Sequence, residues 1–356
     1  MRLSRIVELA DQLAENITTR GLRPGDPYPH TEEIARTLGV STSAANGALR
    51  VLAKRGILDR RPRRGTVVTR LPGTAQPAPL RRIHLLVHRE YLHMEGLLAD
   101  GLLIGIQGEL PGVEMQFNFI PPVDGAEYAQ RLIGETLGSR YPEAFVLVRA
   151  PLAIQRAVRE SGLPAVVFGS LQPSVQELPW IDRDHGRIAL LAAEHFRACR
   201  CRRVAALFRA ELGPGDFVLL DWLQQSLAEG RLGLADFTVR CLPSDREAIA
   251  SCVLPILHES KRPIGVFCRS QLLAEGAAAA VAALGPKASR RVELFISDVY
   301  RKPSEPEPAY PYARSLLTSE EIGRHIGRML AQQARCEKVD PQHEVIPVAL
   351  TVPRAS

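Results

Sequence analysis

Apolar positions recur at helical spacing from the start of the chain. Ile6, Leu9, Ala10, Leu13 and Ile17 predict one buried stripe ending near Gly21. Gly21–His30, GLRPGDPYPH, is rich in Pro and Gly and predicts a loop. Thr31 then opens a second helix as an N-cap, followed by Glu32 and Glu33, whose charges suit the positive helix end. Gly39-Val40-Ser41 forms a turn, Ser41 or Thr42 caps a third helix, and Ala45, Ala48, Leu49 and Leu52 form its inner face as far as Gly56. Ala44, Ala45 and Ala48 let the two short helices approach closely, so the pattern predicts a helix-turn-helix. Asn46-Gly47 is a turn dipeptide, but the alanines and leucines around it favour an unbroken helix. Ile57-Leu58 and Gly65–Val68 flank Arg60-Arg61-Pro62-Arg63-Arg64 and read as two short strands around a basic wing.

Residues 71–82, LPGTAQPAPLRR, predict an extended linker that packs no core. The period then changes. Strands are expected at 83–88, 114–119, 144–148, 165–168, 203–208, 237–241, 263–268 and 292–296. Helices are expected at 96–110, 126–138, 152–161, 187–197, 217–229, 246–258 and 271–284. Such alternation means parallel sheets covered on both faces. There are too many units for one small sheet, and the pattern divides near residue 185. Two similar lobes are expected, with a ligand cleft at the carboxyl ends of their strands. The fold class is therefore α/β, a winged helix-turn-helix followed by a two-lobed parallel-sheet domain. The boundaries are 1–70 for the head, 71–82 for the linker and 83–353 for the body.

Charge sharpens this division. The chain of 356 residues carries 45 Lys+Arg and 39 Asp+Glu, a net of +6. Residues 1–70 hold 13 and 7 of these, leaving 32 of each in a neutral remainder. A positive head is the electrostatic footprint of a nucleic-acid binder. Aromatics make up only 5%, so the cores must be aliphatic. The amphipathic, acid-bearing N-terminus does not read as a secretory signal, and no apolar run is long enough to span a membrane. A cytoplasmic protein with no membrane partner is expected. Of Cys199, Cys201, Cys241, Cys252, Cys268 and Cys336, only the first two are close, and a zinc site would want a second pair. The thiols are expected to be buried and reduced, with no metal and no cofactor.

The head resembles the GntR family of bacterial winged-helix regulators. Gly21-Leu22-Arg23-Pro24-Gly25-Asp26, Glu33-Ile34-Ala35, Leu38-Gly39-Val40-Ser41, Ala48-Leu49, Leu52, Gly56 and Gly65-Thr66-Val67-Val68 carry the resemblance. It implies binding of double-stranded operator DNA by a dimer. The residues it assigns to DNA are Thr31, Ser41, Thr42, Ser43, Asn46, Arg50, Arg63, Arg64, Gly65 and Thr66. The family usually has Arg where this chain has Thr42, often Arg at the place of Asn46, and in some members Arg at the place of Glu32. An asparagine can still read adenine through a bidentate amide contact.

The body resembles the effector domain of the LacI family, a periplasmic-binding-protein-like fold. Gly162–Phe168, Trp180–Gly186, His195-Phe196, Arg203-Val204-Ala205 and Ser315–Gly323 carry that resemblance. It implies dimerisation and a small-molecule effector, sugar-like in many members, held between the lobes. Strand-end positions nominate Tyr91, His93, Arg149, Phe168, Asp182, Phe208, Arg269, Ser270 and Asp298 as its contacts. Sugar-binding members carry Asp where this chain has Arg269-Ser270, and Arg at the helix start where it has Phe217 or Leu219. These departures weaken the reading of a standard monosaccharide and leave a different effector, an acidic one met by Arg149 and Arg269, or none.

A transcriptional repressor answering to an effector is the reading carried forward. A constitutive DNA binder whose body only dimerises is the alternative. An enzyme fused to a DNA-binding head is remote: past the linker the lysines are Lys261, Lys287, Lys302 and Lys338, in polar or terminal surroundings, and no nucleophile elbow, zinc-protease motif or P-loop occurs. No catalytic residue is assigned. If the wing grips phosphate, Arg63→Ala or Arg64→Ala weakens binding on every DNA sequence and flattens its salt dependence, measured as the slope of log affinity against log salt.

Overall fold

A computed structural model describes residues 2–61, 65–69, 71–72, 79–88, 100–229, 236–297, 299, 307–335 and 342–353. The predicted tip of the wing at Arg63 and Arg64, and Tyr91, His93 and Asp298, lie outside the described residues.

In the head, α1 (Arg2–Thr19), α2 (Thr31–Thr37) and α3 (Thr42–Lys54) enclose Leu9, Leu13, Ile17, Ile34, Leu49 and Leu52. Strands β1 (Pro27–Tyr28), β2 (Leu58–Arg61) and β3 (Gly65–Val68) form an antiparallel sheet with β3 central. Gly39, at φ +62°, supplies the left-handed turn between α2 and α3. Asn46-Gly47 stays helical, and Gly47 lies under Ile6 of α1, where a Cβ would come within 3.2 Å of that side chain. One detail differs from expectation. Thr31 is the first residue of α2 rather than its N-cap, because His30 holds the extended backbone of the cap position without capping through its side chain.

The first lobe is a six-stranded parallel sheet in the order β14-β8-β7-β6-β4-β5. Its strands are β4 (Arg82–His88), β5 (Glu114–Ile120), β6 (Glu143–Val148), β7 (Ala165–Phe168), β8 (Trp180–Arg183) and β14 (His343–Ile346). Every residue of β6 is buried, as a strand covered on both faces requires. Helices α4 (Asp100–Glu109) and α12 (Ser319–Ala334) cover the face carrying Leu85, Val87, Val146 and Val166. Helices α5 (Gly125–Gly138) and α6 (Leu152–Ser161) cover the face carrying Leu86, Phe145, Leu147 and Val167.

The second lobe repeats the plan in the order β10-β9-β11-β12-β13-β15, with only the β13–β15 pair antiparallel. Its strands are β9 (Arg203–Arg209), β10 (Phe237–Leu242), β11 (Ile264–Cys268), β12 (Val292–Ile296), β13 (Tyr312–Ser315) and β15 (Val348–Thr351). Helices α7 (His185–Ala198) and α8 (Pro214–Glu229) cover one face, and α9 (Arg246–Glu259) and α10 (Gln271–Ala283) the other. The chain passes between lobes three times: after β8, after β13, and at Pro347 between β14 and β15.

Two expectations need correction. The linker is anchored at both ends: Leu71 packs on the core of the head and Leu80 is buried in that of the first lobe. The thiols are not uniformly buried either. Cys201 and Cys268 are, but Cys241 on edge strand β10 and Cys252 on the outer face of α9 are exposed. The head also touches the first lobe directly. Val7 of α1 lies against Gly162 at the end of α6, and the Lys54 ammonium donates to the Thr136 carbonyl of α5. Burial lowers the Lys54 pKa to about 8, against the opposing pull of Glu143.

Helices α4 and α12 cross at backbone contact. A Cβ at Gly105 would lie 2.0 Å from the Glu320 carbonyl oxygen, and one at Gly323 would lie 2.1 Å from that of Leu102. Gly→Ala inside a helix ordinarily gains up to about 1 kcal/mol. Here overpacking reverses the sign, and Gly105→Ala lowers body stability by about 1–3 kcal/mol, read as a fall in Tm of several degrees.

Candidate DNA-binding face and inter-lobe site

The start of α3 is fixed by Ser41, whose hydroxyl accepts from the Ala44 N–H at 3.2 Å. That bond commits Ser41 to capping and leaves Thr42 and Ser43 exposed on the first turn. One turn on, Asn46 meets the wing: Arg60 of β2 donates to its Oδ1 at 2.8 Å and to the Thr31 hydroxyl at 3.4 Å. Arg50 is exposed one further turn along α3. Burial, and then the like charge of Arg50, lower the pKa of Arg60. A phosphate here would relieve that repulsion. Thr66 is buried in β3 between Tyr28 and Arg60, and Gly65 begins the strand at φ +86°. The structure thus brings Thr31, Asn46 and Arg50 to one face, and sets Thr66 inside the wing sheet. Arg60 was not singled out from sequence. Its signal was the register of a short β2, which places one arginine of the run against α3 instead of at the tip.

The second group of residues meets at the start of α8. Asp216 lies in the first turn and accepts from the Gly213 N–H at 2.9 Å. Arg269, just beyond β11, donates to Asp216 Oδ1 at 2.6 Å and to the Ser297 hydroxyl at 3.2 Å. Arg149 follows β6 in the first lobe at φ +52°. It donates to the Glu211 carbonyl at 3.1 Å and stands 3.7 Å from Asp216 Oδ2, tying the lobes together. Burial raises the Asp216 pKa, but the charges of Arg269, Arg209 and Arg149 outweigh it and hold the carboxyl below its ordinary value.

Asp182 stands at the neighbouring edge. It accepts from the Ser170 hydroxyl and lies 2.9 Å from His185 Nε2. Burial raises its pKa, and the His185 charge followed by bonds from His185, Ser170 and the Arg183 N–H bring it below the ordinary range. His185 Nδ1 is buried without a hydrogen-bond partner among the described residues. A Cβ at Gly215 would lie 2.7 Å from His185 Nε2 and 2.9 Å from the Ser170 hydroxyl, so the first turn of α8 fits here only without a side chain.

Of the residues nominated for an effector, Arg149, Asp182 and Arg269 converge here. Two do not. Phe168 packs in the first-lobe core, and Phe208 is fully buried against Phe267 in the second. Strand-end position placed them at the cleft, but their side chains point into the cores beneath the helices. Ser270 is buried and caps α10 by accepting from the Leu273 N–H at 3.4 Å. Asp216 was missed by one position, since the helix start was sought at Phe217. Ser170, His185 and Arg209 carried no periodic signal.

Residues 5–68 match the profile of bacterial regulatory proteins of the gntR family. Among curated proteins, none matches the chain. The fold is that of solved transcriptional regulators. The cellobiose complex of the transcriptional regulator CelR is 16% identical, with 91% of this chain and 99% of that one covered at a TM-score of 0.64. A probable maltose operon transcriptional repressor, malR, from Staphylococcus aureus is 13% identical over 78% and 98%, at 0.65. The glucose-bound LacI-family regulator CCPA of Weissella paramesenteroides is 12% identical over 76% and 96%, at 0.60. Residues 5–68 are thus of GntR type, and the chain as a whole has the fold of solved transcriptional regulators. This chain joins a GntR-type winged helix to a body with the fold of LacI-family regulators.

Depressed carboxylates stabilise the fold fully above their unfolded pKa and lose that contribution as pH falls through the folded value. The stability that the inter-lobe contact contributes is therefore fully present above about pH 4 and is lost as pH falls from there through the lower folded values. Asp216→Asn leaves buried guanidinium charge less compensated and costs about 3 kcal/mol at neutral pH. Denaturation midpoints across pH check both, the variant showing a shallower acid limb than the parent.

Proposed function

We propose that the chain is a repressor that binds a two-fold-symmetric operator as a homodimer and is modulated by a small polar effector between its lobes. The head comprises residues 1–70, the linker 71–82 and the effector body 83–353. The observation that carries the DNA reading is the meeting of α3 and the wing at Asn46 and Arg60. Thr42, Ser43, Asn46 and Arg50 face the major groove, while Arg60, Arg63, Arg64 and the backbone at Gly65 hold phosphate. Asn46 needs both amide atoms to pair with adenine, so binding hands Arg60 from the amide to the DNA backbone. Such a protein works where the chromosome is, in the cytoplasm.

Self-association is supported by the edge of the first lobe. Phe117 and Phe119 pair in register with Leu85 and Val87, on the face of the sheet that α4 covers, yet both are exposed, as is Ile104 of α4. The effector reading rests on Arg149, Asp182, Asp216 and Arg269 at the lobe junction. Arg269 stands at the strand end where the resemblance gives sugar-binding members Asp, and Phe217 or Leu219 stands where it gives them Arg. Arg269 is instead paired with Asp216, in the first turn of α8. An effector carrying carboxylate or phosphate beside its hydroxyls suits this arrangement better than a neutral sugar. It would compete for the arginines that hold Asp216 and so shift the angle between lobes, which links ligand to DNA affinity reciprocally.

Selection from a random duplex library tests the DNA reading. A symmetric site emerges, Asn46→Ala relaxes one base position per half-site at a cost of about 1–3 kcal/mol, and Arg60→Ala weakens all sequences alike. A thermal-shift series of neutral sugars, sugar acids and sugar phosphates tests the effector, since a ligand of the folded state raises Tm. If none moves it, the body serves dimerisation alone.

A further inference from the structure

We propose that the outer end of the second lobe binds a zinc-class transition-metal ion through His195, Cys199 and Glu293. His195 and Cys199 lie one turn apart on α7, and Glu293 is the second residue of β12. His195 Nε2 stands 3.8 Å from Cys199 Sγ and 3.9 Å from Glu293 Oε2, and the three ligand atoms all lie within 4.8 Å of one another. Tetrahedral zinc with ordinary bond lengths sets its nitrogen about 3.6 Å from a sulfur ligand and about 3.4 Å from an oxygen ligand. Closing the site therefore takes side-chain movements of a few tenths of an ångström at His195 and of up to about an ångström between Cys199 and Glu293. The mixture of imidazole, thiolate and carboxylate favours zinc or cobalt over magnesium or calcium, which prefer oxygen alone.

The elements hold the donors in place. The His195 ring packs between Phe196 and Phe295, at centroid distances of 5.8 and 6.1 Å, so its orientation is set by the aromatic core. Cys199 is half-buried, while the Glu293 side chain retains 39% exposure, so an ion has a path from solvent and a fourth position open to water. The three donors come from two elements that meet beside the starts of β9 and β11, away from the strand ends that face the cleft. Helix α7 begins at His185 in the inter-lobe site and ends at Ala198, with Cys199 as its C-cap. The ion would tie the far end of that helix to β12. Sequence spacing gave no hint of this, because the second cysteine a motif demands is replaced by a glutamate 94 positions away in the chain.

Titration of the full chain with Co2+ tests the site. One equivalent is expected, with the near-ultraviolet thiolate band and visible bands of tetrahedral cobalt. Cys199→Ser abolishes the thiolate band, and His195→Gln weakens binding at least tenfold. Absence of the band, or its persistence in Cys199→Ser, overturns the proposal. A second measurement needs no variant. Zn2+ slows alkylation of Cys199, followed by mass spectrometry, while the exposed Cys241 and Cys252 react at the same rate with or without metal. Equal rates at Cys199 with and without zinc overturn the proposal as well.

Discussion

The carboxylate of Asp216 is the point on which the arrangement of the body turns. It closes the first turn of α8, receives Arg269 from the sheet of its own lobe, and stands within reach of Arg149 from the other. Burying one carboxylate among several guanidiniums is tolerable only because their mutual attraction and the hydrogen bonds between them offset the cost of taking each charge out of water. The backbone around it is shaped to the same end. Arg149 occupies left-handed backbone, and Gly215 admits Ser170 and His185 where any side chain would collide. Ionic contacts at the seam tie the lobes together, with a separate apolar core on either side of it.

The head works by a different economy. Its interior is ordinary, an aliphatic cluster closed by Tyr28, whose hydroxyl donates to the Leu13 carbonyl at 3.2 Å. Its outer face is polar and partly self-satisfied. Ser41 is spent on the helix cap, Thr31 and Asn46 on Arg60, and Arg55 on Asp11 of α1. Basic composition therefore overstates the charge free to meet DNA. Arg50 stays exposed on α3. The head is also seated on the first lobe through Val7 and Lys54, so whatever moves that lobe moves the reading face with it.

Most elements of the fold were legible because their cause is local. The run AFVLV can only be a strand buried on both faces, and the stripe Ile6–Ile17 can only be one side of a helix. The site was legible only in part. Arg149, Asp182 and Arg269 end strands, and that place is readable from topology alone. Asp216, His185 and Ser170 meet their neighbours across the lobe boundary, and no period in the chain encodes such pairing. Phe168 and Phe208 show the converse error, since a strand's end says where a residue is but its side chain alternates between faces. The α3–wing contact failed to show for the same reason, as it depends on which arginine of a run falls on the inward register.

The last crossing between lobes has a mechanical meaning. β14 belongs to the first sheet and β15 to the second, with Pro347 alone between them. A one-residue bridge with a fixed φ cannot stretch, and its neighbours on both sides are held by ladders of hydrogen bonds. The lobes are thus denied translation along that seam and left with torsion about it. Motion of that kind is small at the axis and grows with distance from it. A head mounted on the outside of one lobe sits at the long end of the lever, where a slight twist at the seam becomes a larger displacement of the head.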